Sequence, residues 1–312
     1  LIDANSIGHA AHRGTSLKSG DQETQAIFGS IKTFRSLRLR HPHATIVALW
    51  DGRSWRKGVS DVYKANREDT PDKVDERKRY KSQAPFIRKA LKLLGIPQVF
   101  ALNLEADDLA GHFATMYAAK GDHVRLVTGD QDWIQLVGPN CIWEDHREEL
   151  RKVNQKSFAN FTGVETPRQF IQLKALQGDT SDNLAGVGGI GEDRGLAVMS
   201  IWGSIEAFCA DPEPEKTYLE RFVPKAGKPH PKTMPKAFKD YLNDTTGQQA
   251  KFAHNLMMMS LIDGHAPPPE QITLLKGDFD YDGFKSLCHE LAFSSIYRDG
   301  AYDNFVAPFR KH

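Results

Sequence analysis

At 312 residues, with 40% hydrophobic and 26% charged residues, the chain has room for one large core or two modest domains and the composition of a soluble globular protein. No apolar run approaches the ~20 residues of a membrane span and no signal peptide is legible, although Leu1 rather than Met opens the sequence and the native start reads as trimmed. Cys141, Cys209 and Cys288 are far apart with no CxxC pair, which argues against a disulfide scaffold or zinc ribbon and fits reduced thiols in a cytosolic protein.

The net charge of +1 hides an uneven distribution. Between Arg53 and Lys92 stand 13 Lys/Arg against six Asp/Glu, a local charge of +7 that leaves −6 for the rest. A basic lobe beside an acidic cleft suits a protein that grips a polyanion in one place and works on it in another.

In chain order, Leu1 to Asp3 reads as the end of a strand, followed by a small polar turn. Ala26 to Leu39 carries Ile27, Ile31, Phe34 and Leu37 at helical spacing. Thr45 to Trp50 reads as a strand ending at Asp51. Arg53 to Lys81 is polar, basic and poorly periodic, and predicts a mobile excursion. Ala84 to Leu94 predicts a helix stopped by Gly95 and Pro97, Val99 to Leu102 a strand, Ala106 to Lys120 a helix and Val124 to Thr128 a strand. Alternating strands and helices imply an α/β fold, a doubly wound, mostly parallel sheet, over residues 1–165. From Thr166 to the end a helical region is expected, with helices at Pro167 to Leu176, Arg194 to Trp202 and Ala250 to Ile262. The stretch 217–239, with Pro224, Pro229, Pro231 and Pro235 among its lysines, predicts a basic, partly disordered insertion.

Nine acids fall where strands of such a sheet would end or a turn follows: Asp3, Asp51, Glu105 with Asp107 and Asp108, Asp130 with Asp132, and Asp179 with Asp182. Ligands of open parallel sheets bind at this carboxyl edge. So many carboxylates there need cations, and an oxygen-only donor set favours Mg²⁺ or Mn²⁺ over zinc. Ordinary helix-start charge accounts for one or two acids of the Glu105 cluster, and turn capping for one of Asp130 and Asp132. Neither accounts for all five clusters.

Two further stretches bear on the partner. Tyr63-Lys-Ala-Asn-Arg67 puts Lys64 and Arg67 three apart, as on one helical face, suited to stabilising a phosphoryl transition state, with Tyr63 stacking on a base. Gly186-Val187-Gly188-Gly189-Ile190-Gly191 formally satisfies GxGxxG, but no apolar strand precedes it. A helix–hairpin–helix over 176–200 fits better, its backbone N–H groups meeting a DNA phosphate, with Lys174 and Arg194 as flanking contacts. His9 and His12 read first as solvent-facing helix residues, with a DNA contact near the cleft strand as the alternative, and Met257 to Met259 as core.

In this order and spacing the six motifs resemble the 5′-nuclease, or flap endonuclease, superfamily, including bacteriophage 5′-3′ exonucleases and the 5′-nuclease domain of bacterial DNA polymerase I. The resemblance runs from Leu1 to about Ile205. It implies a structure-specific nuclease acting near 5′ ends of duplex or branched DNA, including 5′ flaps and RNA–DNA hybrids. Two Mg²⁺ ions about 4 Å apart are implied, with Mn²⁺ able to substitute. Asp3, Asp51, Glu105 and Asp107 would surround the first; Asp108, Asp130, Asp132, Asp179 and Asp182 would surround the second. The resemblance places Lys64 and Arg67 at the base of a helical arch over 63–94, and a K⁺ ion at the hairpin. It implies a monomer without membrane attachment in the cytoplasm of a bacterial or phage-infected cell. With no polymerase domain following, a stand-alone nuclease or a fragment is expected. Asp193 departs from the pattern, since the family often has Lys there. A PIN-type single-strand ribonuclease and a non-catalytic DNA-structure binder are the competing readings.

Overall fold

The computed structural model describes all residues except 69, 149–150, 263–266, 299 and 311–312. Seven strands form the main sheet: β1 Ile2–Asp3, β2 Ala48–Trp50, β3 Gln98–Ala101, β4 Val124–Val127, β5 Cys141–Glu144, β6 Lys152–Val153 and β7 Ile272–Leu275. Their spatial order is β7-β3-β2-β1-β4-β5-β6. The five central strands run parallel, with Ile2 opposite both Ala48 and Val127. The edge strands β7 and β6 are antiparallel to their neighbours. The principal helices are α1 Ala4–His12, α2 Gln25–Arg40, α3 Pro71–Leu93, α4 Ala106–Ala119, α5 Pro167–Gln177, α6 Glu192–Trp202, α7 Pro214–Arg221, α8 Lys236–Leu242, α9 Gln248–Met259 and α10 Tyr281–Glu290.

Both sheet faces are covered, as parallel sheets require. On one side α1, α2 and the second half of α3 bury Ile7, Ile27, Ile31, Phe34, Ile87 and Leu91. On the other, α4 and the helices from α5 to α9 bury Leu109, Leu173, Val198, Phe208 and Phe252 with Leu126, Trp133 and Trp143. The helical region therefore shares its core with the sheet. Strand order turns from 3-2-1 to 4-5 between β1 and β4, and such a switch opens a crevice at the strands' carboxyl ends.

Three expectations are corrected. The excursion over 53–81 is largely ordered, because α3 begins at Pro71 behind the cap Thr70, whose Oγ1 accepts from Lys73 N at 3.4 Å. Its first half lacks an apolar stripe, so periodicity shows only the half that packs. The helical region does not run to the end: β7 pairs along β3, and Phe284, Leu287 and Val306 return to the core of the first face. The 217–239 stretch is anchored, with Tyr218, Met234 and Phe238 buried.

Among the described residues no helix is long and apolar enough to cross a membrane. The three cysteines are free, with Cys141 and Cys288 buried. Met258 and Met259 are core, as expected, but Met257 is exposed.

Candidate metal centre and nucleic-acid interface

The crevice is built first from Asp3, which ends β1 and caps α1. Its Oδ1 accepts from Ser6 N at 2.9 Å and its Oδ2 from Thr128 Oγ1 at 2.9 Å. Thr128 Oγ1 in turn accepts from Asp130 N at 3.0 Å, so the end of β1 and the loop after β4 are tied together. Ser6 Oγ accepts from Gly129 N at 3.0 Å and lies 3.2 Å from His146 Nε2. Arg147 donates to the Gly129 carbonyl at 2.9 Å while held by the buried Asp145. Sequence reading missed Ser6, Thr128, His146 and Arg147, whose only signal was a run of polar residues directly after a strand.

Asp51, open to water, follows β2 and accepts from Ala106 N at 2.8 Å, the first residue of α4. Beside it, Glu105 is buried among cations and a phenol. Lys64 Nζ lies 2.6 Å from its Oε1, while Arg56 at 3.0 Å and Tyr63 Oη at 3.0 Å donate to its Oε2. Burial alone would raise the Glu105 pKa, but Lys64 and Arg56 outweigh it and hold the carboxylate below its ordinary range.

The motif at 63–67 clasps the loop carrying Asp179 and Asp182. Lys64 N donates to the Asp182 carbonyl at 3.0 Å, Asn183 Nδ2 to the Val62 carbonyl at 2.8 Å, and Asn66 Nδ2 to the Thr180 carbonyl at 2.6 Å. Side chains repeat the pairing: Arg67 donates to Asp182 at 2.8 Å, and Tyr63 Oη, whose single proton is shared between Glu105 and Asp182, lies 2.9 Å from the Asp182 carboxylate. This corrects the helical-face reading. Lys64 sits at φ 57, before a short helix that begins only at Ala65. A left-handed lysine costs on the order of 1–2 kcal/mol and persists where surrounding contacts fix it. Tyr63 is 2% exposed and cannot stack on a base. Changing Tyr63 to Phe should leave DNA affinity unchanged but lower turnover roughly 10–100-fold, the usual effect of losing a group that orients a metal ligand. Weakened DNA binding with normal turnover would restore the stacking role.

The remaining acids line the other side. Asp107 accepts from Trp133 Nε1 at 2.7 Å, and burial, then repulsion from Asp130, raises its pKa. Asp132 ion-pairs with Lys174, which also lies 3.7 Å from Asp179. Lys174, expected on DNA, is thus held by carboxylates. Asp179 caps its own turn through Ser181 N at 2.7 Å. Asp108 departs from the expected ligand set. Arg56 engages both its oxygens at 2.9 and 2.8 Å, its Oδ2 also accepts from Glu105 N at 3.0 Å, and it is 1% exposed.

Among the described residues no three acids or histidines are close enough to hold an ion as they stand. The two lysines stand between them as counter-charges. The donor set nevertheless fits hard divalent cations, because what it lacks is positive charge. Burial, then repulsion from Asp51, pushes Asp3 up to about 7, and burial, then Asp130, pushes Asp132 up to about 7. A raised folded pKa costs stability as pH rises from the ordinary value near 4 to about 7. Cation binding must displace those protons. Mn²⁺ at ~100-fold its Kd at pH 8 should therefore stabilise the fold by about 2.7 kcal/mol, raising Tm by several degrees, and the same concentration should do less at pH 6, where protons compete. Thermal unfolding with Mn²⁺ and with EDTA checks this; an identical Tm in both at pH 8 would deny the cleft an ion.

At the hairpin, Gly186 lies so close to the chain before it that an added Cβ would sit 2.2 Å from the Gln177 carbonyl oxygen. Gly189 holds φ +72. Three of the hairpin's N–H groups have partners within the protein. Val187 N donates to the Leu176 carbonyl, Ile190 N to Val187, and Gly188 N to Gln248 Oε1 at 2.7 Å. The Val187 and Ile190 side chains are buried, a signal legible in apolar residues alternating with glycines. Arg194 donates to the Gly189 carbonyl at 2.5 Å, so a carbonyl that a K⁺ ion could share already has a cation. His9 is half-buried against Tyr80, ring centres 3.8 Å apart, and His12 is buried, so neither is the solvent-facing residue expected.

A family model described as 5′-3′ exonuclease, N-terminal resolvase-like domain, matches residues 1–163. DNA polymerase I of Lactococcus lactis subsp. lactis is 37% identical over 195 residues, 59% of this chain and 21% of that protein. DNA polymerase I of Bacillus caldotenax is 30% identical over 213 residues, 66% of this chain and 24% of that protein. The chain thus spans about a fifth to a quarter of the length of these relatives. Among solved structures, the bacteriophage T5 flap endonuclease in complex with DNA and metal ions aligns with a TM-score of 0.64 at 19% identity, covering 99% of this chain and 96% of that one. Human GEN1 in complex with Holliday junction DNA aligns at 0.58 and 13% identity, covering 99% and 70%. At these identities the structural likeness establishes the fold. The match through residue 163 takes in the acids of β1, β2, α4 and the loop after β4, and the chain belongs to the 5′-3′ exonuclease family.

Proposed function

We propose that the chain is a Mg²⁺-dependent 5′-3′ exonuclease and flap endonuclease that hydrolyses phosphodiester bonds near 5′ ends of duplex or branched DNA, acting as a monomer. One observation carries the reading: acids from the ends of β1, β2 and β4 and the start of α4 face the Asp179–Asp182 loop across one crevice, clasped by Lys64 and Arg67. A surplus of carboxylate beside cationic side chains suits a substrate that brings negative charge with its own cations. Divalent ions bound there would supply a water of lowered pKa and neutralise charge on the leaving oxygen. Asp3, Asp51, Glu105, Asp107, Asp130, Asp132, Asp179 and Asp182 would hold them, directly or through water. Asp108 and Arg56 keep Glu105 in place.

Lys64 and Arg67 would turn from Glu105 and Asp182 to the scissile phosphate once the acids are otherwise neutralised. The 23-residue α3 would form one side of the arch over the 5′ strand. DNA and metal ions in the T5 flap endonuclease complex support this substrate class. A 5′-labelled flap duplex, with blunt and single-stranded controls, in Mg²⁺ and then EDTA, tests it. Mg²⁺-dependent release of a short flap fragment is expected. Preference for free single-stranded RNA would install the ribonuclease reading, and binding without turnover the non-catalytic one.

A further inference from the structure

We infer that the segment from Phe222 to Lys239 is this chain's own clamp on the duplex backbone, supplying at the hairpin the positive charge that residue 193 lacks. The inference rests on the nuclease reading above and adds the surface that holds the duplex. The segment contains Lys225, Lys228, Lys232, Lys236 and Lys239 and no acid. Four prolines stiffen it, and Met234 and Phe238, 4% and 0% exposed, pin it to the core. A stiff, anchored loop loses little entropy when its lysines meet a partner.

Two contacts seat the segment against the hairpin, and the helix that follows it adds a third. Lys225 Nζ lies 2.8 and 2.9 Å from the two carboxylate oxygens of Asp193, in the first turn of α6. Ala237 of α8 approaches so closely that a Cβ on Gly189 would stand 3.1 Å from its own. Gln248, opening α9 just beyond α8, takes the Gly188 N–H. The hairpin itself is left poorly equipped for phosphate. Three of its N–H groups are spent internally, and Glu192 and Asp193 put negative charge where an anion would approach.

What can attract a polyanion here is the lysine loop. Asp193 holds Lys225 beside the hairpin. Lys236 and Lys239 are paired with Asp240 and Glu215. Lys228 and Lys232 are exposed and have no ion pair among the described residues. Exposed lysines without a defined geometry of base-reading groups suit the uniform phosphate backbone rather than a sequence.

The test replaces Lys225, Lys228 and Lys232 together by Ala and measures affinity for a flap duplex in EDTA across a KCl series. The slope of log affinity against log salt is expected to fall by about 0.9 for each phosphate the variant no longer neutralises, roughly two to three in all, with affinity at least ~tenfold weaker. Tm and the affinity for a single-stranded 5′ arm should not change. Arg at all three positions should restore slope and affinity. A wild-type slope in the Ala variant, with the wild type binding duplex normally, overturns the clamp alone. A wild type that binds no duplex at any salt overturns the nuclease reading with it.

Discussion

Asp130→Asn is expected to abolish cutting, by at least ~10²–10³-fold in kcat, while the protein stays folded and bound to DNA. Asp130 is exposed, and its internal duty is modest: its Oδ1 accepts from Asp132 N at 2.8 Å, capping the short helix Gln131–Leu136. Asn keeps an acceptor in that place, whereas Ala would forfeit about 1 kcal/mol of capping. The backbone of Asp130 is fixed independently, its N–H by Thr128 Oγ1 and its carbonyl by Trp143 Nε1 at 2.8 Å. What Asn removes is charge at the point where the Asp107 and Asp132 fields meet. Without it both neighbours should ionise more readily, so the pH at which Mn²⁺ binds shifts down even as affinity falls. Single-turnover cutting, duplex affinity in EDTA and Mn²⁺ titration at two pH values separate these effects. Retained cutting in Asp130→Asn would remove this carboxylate from the chemistry and sink the assignment of the crevice.

The acids are legible in the sequence because each follows a short apolar run or opens a helix, and a parallel sheet puts all such positions on one edge. Their partners are not. Nothing in the order Tyr63-Lys-Ala-Asn-Arg67 shows that Lys64 is left-handed, because that conformation is imposed by the Asp182 carbonyl over a hundred residues away. A helical spacing is the natural local reading, and tertiary structure overrides it. The same holds for Tyr63, whose hydroxyl is fully used by Glu105 and Asp182. Strand β7 escapes detection for a different reason. It is an edge strand with Leu274 and Leu275 exposed, so no buried face writes alternation into its sequence. Helix α3 carries readable start signals at Thr70, Pro71 and Asp72, but its exposed first half has no apolar period to confirm them. At the hairpin the glycines that permit the tight turn are legible, but the inward use of its apolar residues and of three donors is set by tertiary partners such as Gln248.

Arg56→Met should be among the most destabilising single changes in the crevice wall. Arg56 is 2% exposed and spends its guanidinium on Asp108, Glu105 and the Met258 carbonyl, the last at 2.6 Å. It therefore joins the entry to the arch, the start of α4 and the end of α9 through one buried charge. Its removal leaves Asp108 buried without its counter-charge and takes one of two cations from Glu105, which keeps Lys64, a loss of about 3–5 kcal/mol. At roughly 2–4 °C per kcal/mol for a chain somewhat smaller than this one, Tm should fall by on the order of 10 °C. Adding Asp108→Leu removes the stranded acid and should recover part of that loss, although Glu105 N then loses the acceptor that closes the first turn of α4. Activity should not recover with stability, because Glu105 would still lack one of the two donors on its Oε2, with Tyr63 alone left to orient it. Thermal unfolding and Mn²⁺ affinity measured on the single and double variants distinguish the two contributions. A Tm within a degree of wild type for Arg56→Met would mean that water reaches Asp108 and Glu105, and that the charge pair does not set the position of Glu105.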